Sequence, residues 1–276
     1  MKIEKINKIL LYISLFLLVV VCILPFYMVM INSTRSSQEI ISGFSLVPGK
    51  SLMNNWRQIK VYFDLFRGMK NSIFISVSVT LLTSYFSALT AYSFVVYNFK
   101  GKKIILGTIV SLMMVPGQLG LIGFYELIVA MRLVDSYIPL IIPAIASPFA
   151  VFFLRQYLIS VLPMSIVEAA RIDGASELQI FHKIVIPIML PGIATNGIFT
   201  FIGSWNSYLL PLVVLLSPEK FTLPLLMGYL KGAVDITLNM GASYLAIATS
   251  ILPIMLAYIF FSRYIINSVS AGAVKE

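Results

Sequence analysis

ILLYISLFLLVVVCILPFYMVMINST, residues 9–34, carries no Lys, Arg, Asp or Glu. A helix of roughly 20 mostly apolar residues crosses a hydrocarbon layer about 30 Å thick. Five further stretches lack those four residue types: 71–99, 104–125, 136–154, 184–218 and 236–262. Lipid offers the backbone no water to bond, so each span must close its own hydrogen bonds as a helix. The pattern predicts an all-α polytopic membrane protein with six spans, near 10–31, 72–97, 104–131, 137–158, 192–216 and 244–266. Together they form one transmembrane domain over residues 1–276.

Composition agrees. Of 276 residues, 59% are hydrophobic and 11% charged, against about 25% charged in soluble domains. Mean hydropathy is +0.95. A soluble enzyme, a disordered tail and a nucleic-acid module are all excluded. The net charge of +9 reflects loop lysines and arginines that orient a membrane chain. A single cysteine excludes a disulfide framework and a cysteine-based zinc site.

Lys2, Lys5 and Lys8 precede the first apolar run, as in a signal peptide. The run reaches Ile31 with no small-x-small site after it, so it reads as a retained helix. Six spans put both termini on one side, and the N-terminal lysines assign that side to the cytoplasm. Lys100, Lys102 and Lys103, and then Arg171 and Lys183, fall on the same side. Segment 35–70 disagrees, carrying Arg35, Lys50, Arg57, Lys60, Arg67 and Lys70 on the outside, but long loops obey the rule poorly.

Several chemistries fail on spacing. Gly43–Ser51 (GFSLVPGKS) approaches a phosphate-binding loop, which requires four residues between its glycines; here there are five, with no preceding strand and no clear helix opening at Lys50. The sole histidine, His182, excludes a multi-histidine metal site. No aspartate lies inside a span, so an intramembrane aspartyl protease is excluded.

The informative loop lies between the fourth and fifth spans: PMSIVEAARIDGASELQIFHKIVIP, residues 163–187. Ser165 with Glu168 forms a capping-box pattern. The helix should stop at Asp173-Gly174, where glycine takes the left-handed conformation. Ser176 and Gln179 form a second box. The second helix runs to about Val185, where Pro187 interrupts it or starts the next span. Leu178, Phe181, Ile184 and Val185 share one face, leaving Glu168, Arg171, Glu177 and Lys183 for the others. Such a helix-turn-helix is either a grip for a soluble partner or an ordinary amphipathic linker.

Glu168-Ala169-Ala170, Asp173-Gly174-Ala175, Phe181, Ile184 and Pro187 resemble the EAA loop of bacterial ATP-binding-cassette importer permeases, in both halves and without a gap. The resemblance extends over most of the chain through Asn71-Ser72-Ile73, Phe99-Lys100-Gly101-Lys102, Phe152-Phe153-Leu154-Arg155-Gln156, Gly203-Ser204-Trp205-Asn206 and Ser270-Ala271-Gly272-Ala273-Val274. These are similar to the carbohydrate-uptake branch, the maltose-type second (MalG-like) permease. The resemblance implies the type I importer permease fold, with a cytoplasmic coupling helix in loop 159–190. Glu168, Ala169, Ala170, Asp173, Gly174, Ala175 and Phe181 would couple to an ATPase. Glu168 caps its own helix, contacts the ATPase, or does both. The implied partners are a second permease (a heterodimer), two ATP-binding-cassette ATPases, an extracellular or periplasmic solute-binding protein and membrane lipid, but no nucleic acid. ATP and Mg would sit on the ATPases, and this chain would bind no cofactor. It would be a transport subunit and not an enzyme, in a bacterial inner membrane with both termini cytoplasmic.

Pathway candidates come from helix faces. Asn196, Thr200, Gly203 and Ser207 form a polar stripe on the fifth span, flanked by Ser204, Trp205, Asn206 and Tyr208. Amide, hydroxyl and aromatic groups suit a neutral sugar, although interhelical hydrogen bonding explains any one of them equally well. The third span is interrupted by Pro116-Gly117-Gln118-Leu119-Gly120, which either kinks the helix or opens its backbone, with Gln118, to a cavity. Ser76, Thr80, Ser84 and Ala88 on the second span read as a packing row. Glu126 reads as interfacial. The implied activity is sugar import by alternating access powered by a partner's ATP hydrolysis. The alternatives are glycerol-3-phosphate or another polar solute as cargo, or a scaffold that transports nothing.

Overall fold

A computed structural model describes residues 2–62, 64–232 and 239–273; Val274, quoted above, and Ile236, in the last charge-free stretch, lie outside the described residues. Among the described residues every regular element is helical. The chain opens with α1 (Lys2–Ser33), α2 (Ser37–Ile41), α3 (Leu52–Tyr62) and α4 (Leu65–Val96). After α5 (Lys102–Leu112) come a 3-10 turn (Gly117–Gly120), α6 (Leu121–Ala130), α7 (Ile138–Ile141) and α8 (Pro148–Val161). Then follow α9 (Met164–Ile172), α10 (Glu177–Ile180), a π turn (Phe181–Val185), α11 (Ile186–Trp205), α12 (Leu209–Val214), α13 (Leu223–Gly232) and α14 (Met240–Ala273).

Five stretches are long and apolar enough to cross a membrane: Asn7–Ser33, Leu65–Val96, Ile138–Val161, Glu177–Trp205 and Met240–Ile259. The third expected span, 104–131, is not one rod. Lys102–Leu112 and Gly117–Ala130 are bent by 92°, far beyond a tolerated kink. Pro116 is extended (φ −60°, ψ 120°) and biases Val115 away from the helix, and Gly117 and Gly120 on either side of Gln118 do not restore it. The fifth span, expected at 192–216, runs instead from Glu177 to Trp205. Pro187 sits in the first turn of α11, where a missing N–H costs least, and Pro191 is carried inside the helix. The π turn just before it shifts the ladder by one residue, so that Ile186 N–H reaches Phe181 O.

By its internal contacts the chain forms two compact units, one of residues 1–66 and 226–252, the other of 67–225 and 253–276. In the first, the Arg35 guanidinium is buried and donates to Asn32 Oδ1 (3.2 Å), Gly43 O (3.0 Å) and Glu39 O. Its charge is spent on carbonyls, and Lys60 lies 5.3 Å over the Trp56 ring. The phosphate-loop lookalike is engaged as well. Gly49 N–H donates to Thr34 Oγ1 and Ser51 N–H to Thr34 O, each at 2.8 Å. Contrary to the sequence reading, a helix does open beside it, with Asn55 N–H bonded to Ser51 O, but the loop amides are already taken.

The core of the second unit joins α4 (Ala88, Ala91, Tyr92), α8 (Leu154, Leu158), α9 (Val167) and the α10–α11 run (Phe181, Val185, Met189). Of the small-residue row on α4, Thr80 and Ser84 face Gly197 of α11 as a packing row should. Ser76 departs from it, lining a cavity described below. Beyond α12, Asp135 acts as a clamp. Its Oδ1 accepts from Leu216 N–H and Ser217 N–H at 3.0 Å, and its Oδ2 from Ser217 Oγ–H (2.7 Å) and Lys220 Nζ (2.8 Å). Lys220 first, then the Ser217 and Leu216 donors, hold its carboxyl well below the usual aspartate range.

Two outcomes are expected. A Cβ on Gly241 would collide with Arg35 O and the Asn55 amide, so Gly241→Ala should destabilise the protein by about 1–3 kcal/mol, read as a lower melting temperature in detergent. Because the folded pKa of Asp135 is depressed, its stabilisation is complete above the unfolded value near 3.9 and fades as pH falls towards the folded one. The melting-temperature gap between wild type and Asp135→Asn should therefore be full at pH 6 and shrink as the pH is taken below about 4.

Candidate functional site

Two features stand out in the second unit: an elbow between α8 and α11, and a cavity beside the far end of α11.

The elbow begins with α9. Pro163 is its N-cap, with no side-chain capping bond, so the Ser165–Glu168 box does not form. The helix starts two residues earlier than that box requires, and Ser165 is already inside the first turn. Glu168 therefore does not cap its own helix; it and Ala169 are exposed, while Val167 and Ala170 on the other face are buried. The stop falls where expected. Asp173 is the C-cap and Gly174 has φ +79°. Ala175 N–H bonds Ala170 O and Gly174 N–H bonds Arg171 O, both at 3.0 Å, the paired bonds of a Schellman turn. Ser176 and Gln179 then form the reciprocal capping box.

The apolar face of the second helix is the expected one except at Leu178, with Ile184 packed against the core beside Phe181 and Val185. Ile180, Phe181, Val185 and Met189 are fully buried, whereas Leu178 is 62% exposed. The buried stripe runs i, i+4, i+8 from Phe181, and a residue three positions before Phe181 lies on the flank opposite Ile180.

A polar latch that sequence reasoning missed closes the elbow onto α4. Glu177 Oε1 accepts from Arg171 Nε and Oε2 from Tyr92 OH, each at 2.7 Å. The Arg171 guanidinium lies 5.6 Å over the Tyr97 ring, and Tyr92 packs 5.5 Å from Phe181. The Glu177 carboxylate raises the Arg171 pKa still further, and burial pushes the Tyr97 phenol up. Opposite charges across Asp173-Gly174 were a local signal for the ion pair. Nothing local pointed to Tyr92, which is distant in sequence.

The cavity measures about 510 Å³ and lies between the first half of α4, the start of α8 and the second half of α11. Of the pathway candidates, Thr200, Ser204 and Ser207 line it together with Gly203. Asn196 is fully buried in helix packing, its Nδ2 donating to Thr200 Oγ1 at 3.5 Å. Trp205 is buried and stacked on Phe201. Gln118, Asn206 and Tyr208 are exposed and do not line it. Ser72, Ser76, Thr83 and Thr222 do, although α4 had been read only as a packing face. No ionisable side chain lines the cavity. Among the described residues, no group of three or more His, Cys, Asp or Glu is placed to hold a metal.

Residues 81–270, which include the whole elbow and α11, match the family described as binding-protein-dependent transport system inner membrane component. This chain belongs to that family. It is similar to the arabinooligosaccharides transport system permease protein AraQ of Halalkalibacterium halodurans, 34% identical over 263 residues, with 92% of each chain covered. The trehalose/maltose transport system permease protein MalG of Thermococcus litoralis is 29% identical over 282 residues, covering 100% of this chain and 99% of that one. A solved bacterial ABC transporter involved in the import of the acidic polysaccharide alginate has the same fold, with a TM-score of 0.81 at 24% identity, covering 95% of this chain and 97% of that one.

As an inner membrane component of a binding-protein-dependent transport system, the protein is a polytopic, multi-pass membrane chain. Its elbow is flanked by spans on both sides and anchored into their shared core. The Arg171–Glu177 pair is about 40% exposed (36% and 42%), so its contribution is at most about 1 kcal/mol. Glu177→Gln should therefore leave the fold intact but speed hydrogen exchange at the backbone amides of residues 171–177, with α11 unchanged. Tyr92→Phe should do the same more weakly.

Proposed function

We propose that this chain is one of two permease subunits, paired as a heterodimer, of an ATP-binding-cassette importer. It carries a sugar or oligosaccharide into the cell by alternating access. The observation that carries this reading is the elbow: an exposed helix face ending at Gly174, joined by one tight turn to the continuous helix that lines the cavity. Glu168, Ala169, Asp173 and Gly174 stand exposed on it and form the surface that docks on an ATPase subunit. Ala170, Ala175 and Phe181 seat that surface on the core. Two ATPase subunits bind ATP and Mg; this chain binds neither and catalyses no reaction. An external solute-binding protein delivers the cargo.

The elbow faces the cytoplasm, and so do both termini, in a bacterial inner membrane. The sugar class is supported by relatives named for arabinooligosaccharide and trehalose/maltose transport. Candidate cargo contacts on this chain are Thr200, Ser204 and Ser207, which line the cavity. Asn196 and Trp205 support that wall from within the packing, while Gln118, Asn206 and Tyr208 lie away from it.

Gly174→Asp tests the reading. No neighbouring atom lies within 4 Å of an added Cβ, so the variant should insert and assemble. The positive φ disfavours any side chain there, and the turn presented to the ATPase is distorted. In proteoliposomes carrying the complete importer, ATP should still be hydrolysed while uptake is lost. Wild-type uptake with wild-type cargo-stimulated hydrolysis would defeat the coupling role.

A further inference from the structure

We propose that the α4–α11 cavity is a cargo subsite of this chain's own, built for a neutral sugar ring, with the Ser76 and Thr222 hydroxyls as its hydrogen-bonding anchors. This rests on the importer reading above and adds which groups meet the cargo and which cargoes are refused.

Ser76 and Thr222 are 1% and 4% exposed, both line the cavity, and the oxygen of each lacks a hydrogen-bond partner. A buried hydroxyl left unpaired is costly, and native structures retain few of them. Their neighbours on the same wall are used differently. Ser72 Oγ accepts from Leu223 N–H and Thr83 Oγ1–H donates to Ala144 O, both at 2.8 Å. One pair of hydroxyls thus closes the fold, while the other pair, on residues that also line the cavity, is left without a partner.

The opposite wall completes the chemistry. Thr200 and Ser204 of α11 are four residues apart, which sets their hydroxyls on one helix face, and Ser207, just past the C-cap of α11, lines the same space. Phe149 and Phe199 line the same space, both half-exposed, and offer flat apolar faces. Hydroxyls that both donate and accept, alternating with aromatic faces, match the alternating O–H and C–H surface of a pyranose or furanose ring. An anionic sugar or a phosphate ester would leave a charge in this space with no cation to pair it, which is strongly unfavourable.

The test uses the complete importer, with its solute-binding protein, in proteoliposomes. Radiolabelled maltotriose, arabinotriose and diacetylchitobiose serve as neutral probes and an oligouronate as the anionic one. Wild type should take up at least one neutral probe and not the oligouronate. Ser76→Ala and Thr222→Val should each lower the rate for that probe about tenfold at saturating binding protein, the size of effect expected for one lost hydrogen bond. A second measurement separates cargo binding from folding. In detergent, without binding protein, the neutral probe should raise the melting temperature of the wild-type assembly and raise it less in either variant, while the sugar-free melting temperatures stay equal to or above wild type. Unchanged rates and unchanged sugar-induced shifts in both variants would overturn the subsite and leave the importer reading standing. So would a drop in sugar-free melting temperature, which marks the hydroxyls as structural, or wild-type uptake of the oligouronate. Uptake of none of the four probes by wild type would count against the sugar reading itself and take the subsite with it.

Discussion

Everything mechanical in this protein depends on one continuous helical run, from Glu177 through Trp205. In lipid a broken ladder leaves groups that water cannot rescue, and the run contains two prolines that would ordinarily break it. Pro187 is absorbed at the first turn of α11, and the π turn ahead of it supplies a wider ring at the place where the register has to change. A rod results whose first turns belong to the elbow and whose last turns line the cavity. From Phe181 to Ser204 it spans about 35 Å at 1.5 Å per residue. A displacement at the elbow reaches the cavity wall through continuous helix, with no loop in between to absorb it.

Rigidity at the elbow end has two sources that differ in kind. Phe181, Val185, Met189 and Val167 are buried against α4 and α8, a non-directional apolar contact that holds position. The Glu177 carboxylate, shared between Arg171 and Tyr92, is directional and fixes orientation. Half-exposed, it adds little to stability. Its effect is to set the angle at which the exposed Glu168–Gly174 face is presented, relative to both α4 and α11. At the other end of α4, side chains of modest size let the helices approach closely. Gly197 sits 3.5 Å from Thr80 Cγ2, measured from an added Cβ, as expected where small residues drive helix association in lipid.

Much of this was legible in the sequence because the signals were local. Absent charge located the spans, and Asp173-Gly174 located the turn, since only a residue tolerant of positive φ closes a Schellman motif. The misses share a different cause. Pro163 moved the start of α9 by two residues, enough to take Ser165 out of the capping position. Pro187 looked like a boundary for the fifth span because its compatibility with a first helical turn depends on register, which the sequence does not display. Leu178 fitted a helical face whose centre only the tertiary contacts define. In the cavity, Thr200, Ser204 and Ser207 were visible as a stripe on one helix. Ser76 was read with Thr80 and Ser84 as packing, because spacing by four looks the same whether the face meets a helix or a space. Thr222 sits outside any periodic segment and gave no signal at all.

The cavity walls bear on how access could alternate. α4 leads from the cavity to the latch, and α11 returns from the elbow to the cavity, so the two form an antiparallel pair joined at both ends. α8 is tied to them by Leu154 and Leu158 in the core and by Tyr157 against Gly192. Thr83 donates to Ala144 O, fixing the segment that leads into α8. All three walls therefore belong to one packed block, and packed cores do not deform continuously. Turning such a block preserves the shape of its cavity and changes only the direction in which it opens. One side can be sealed off only by a surface that this block does not contain. In the proposed importer, a second permease subunit would supply that surface.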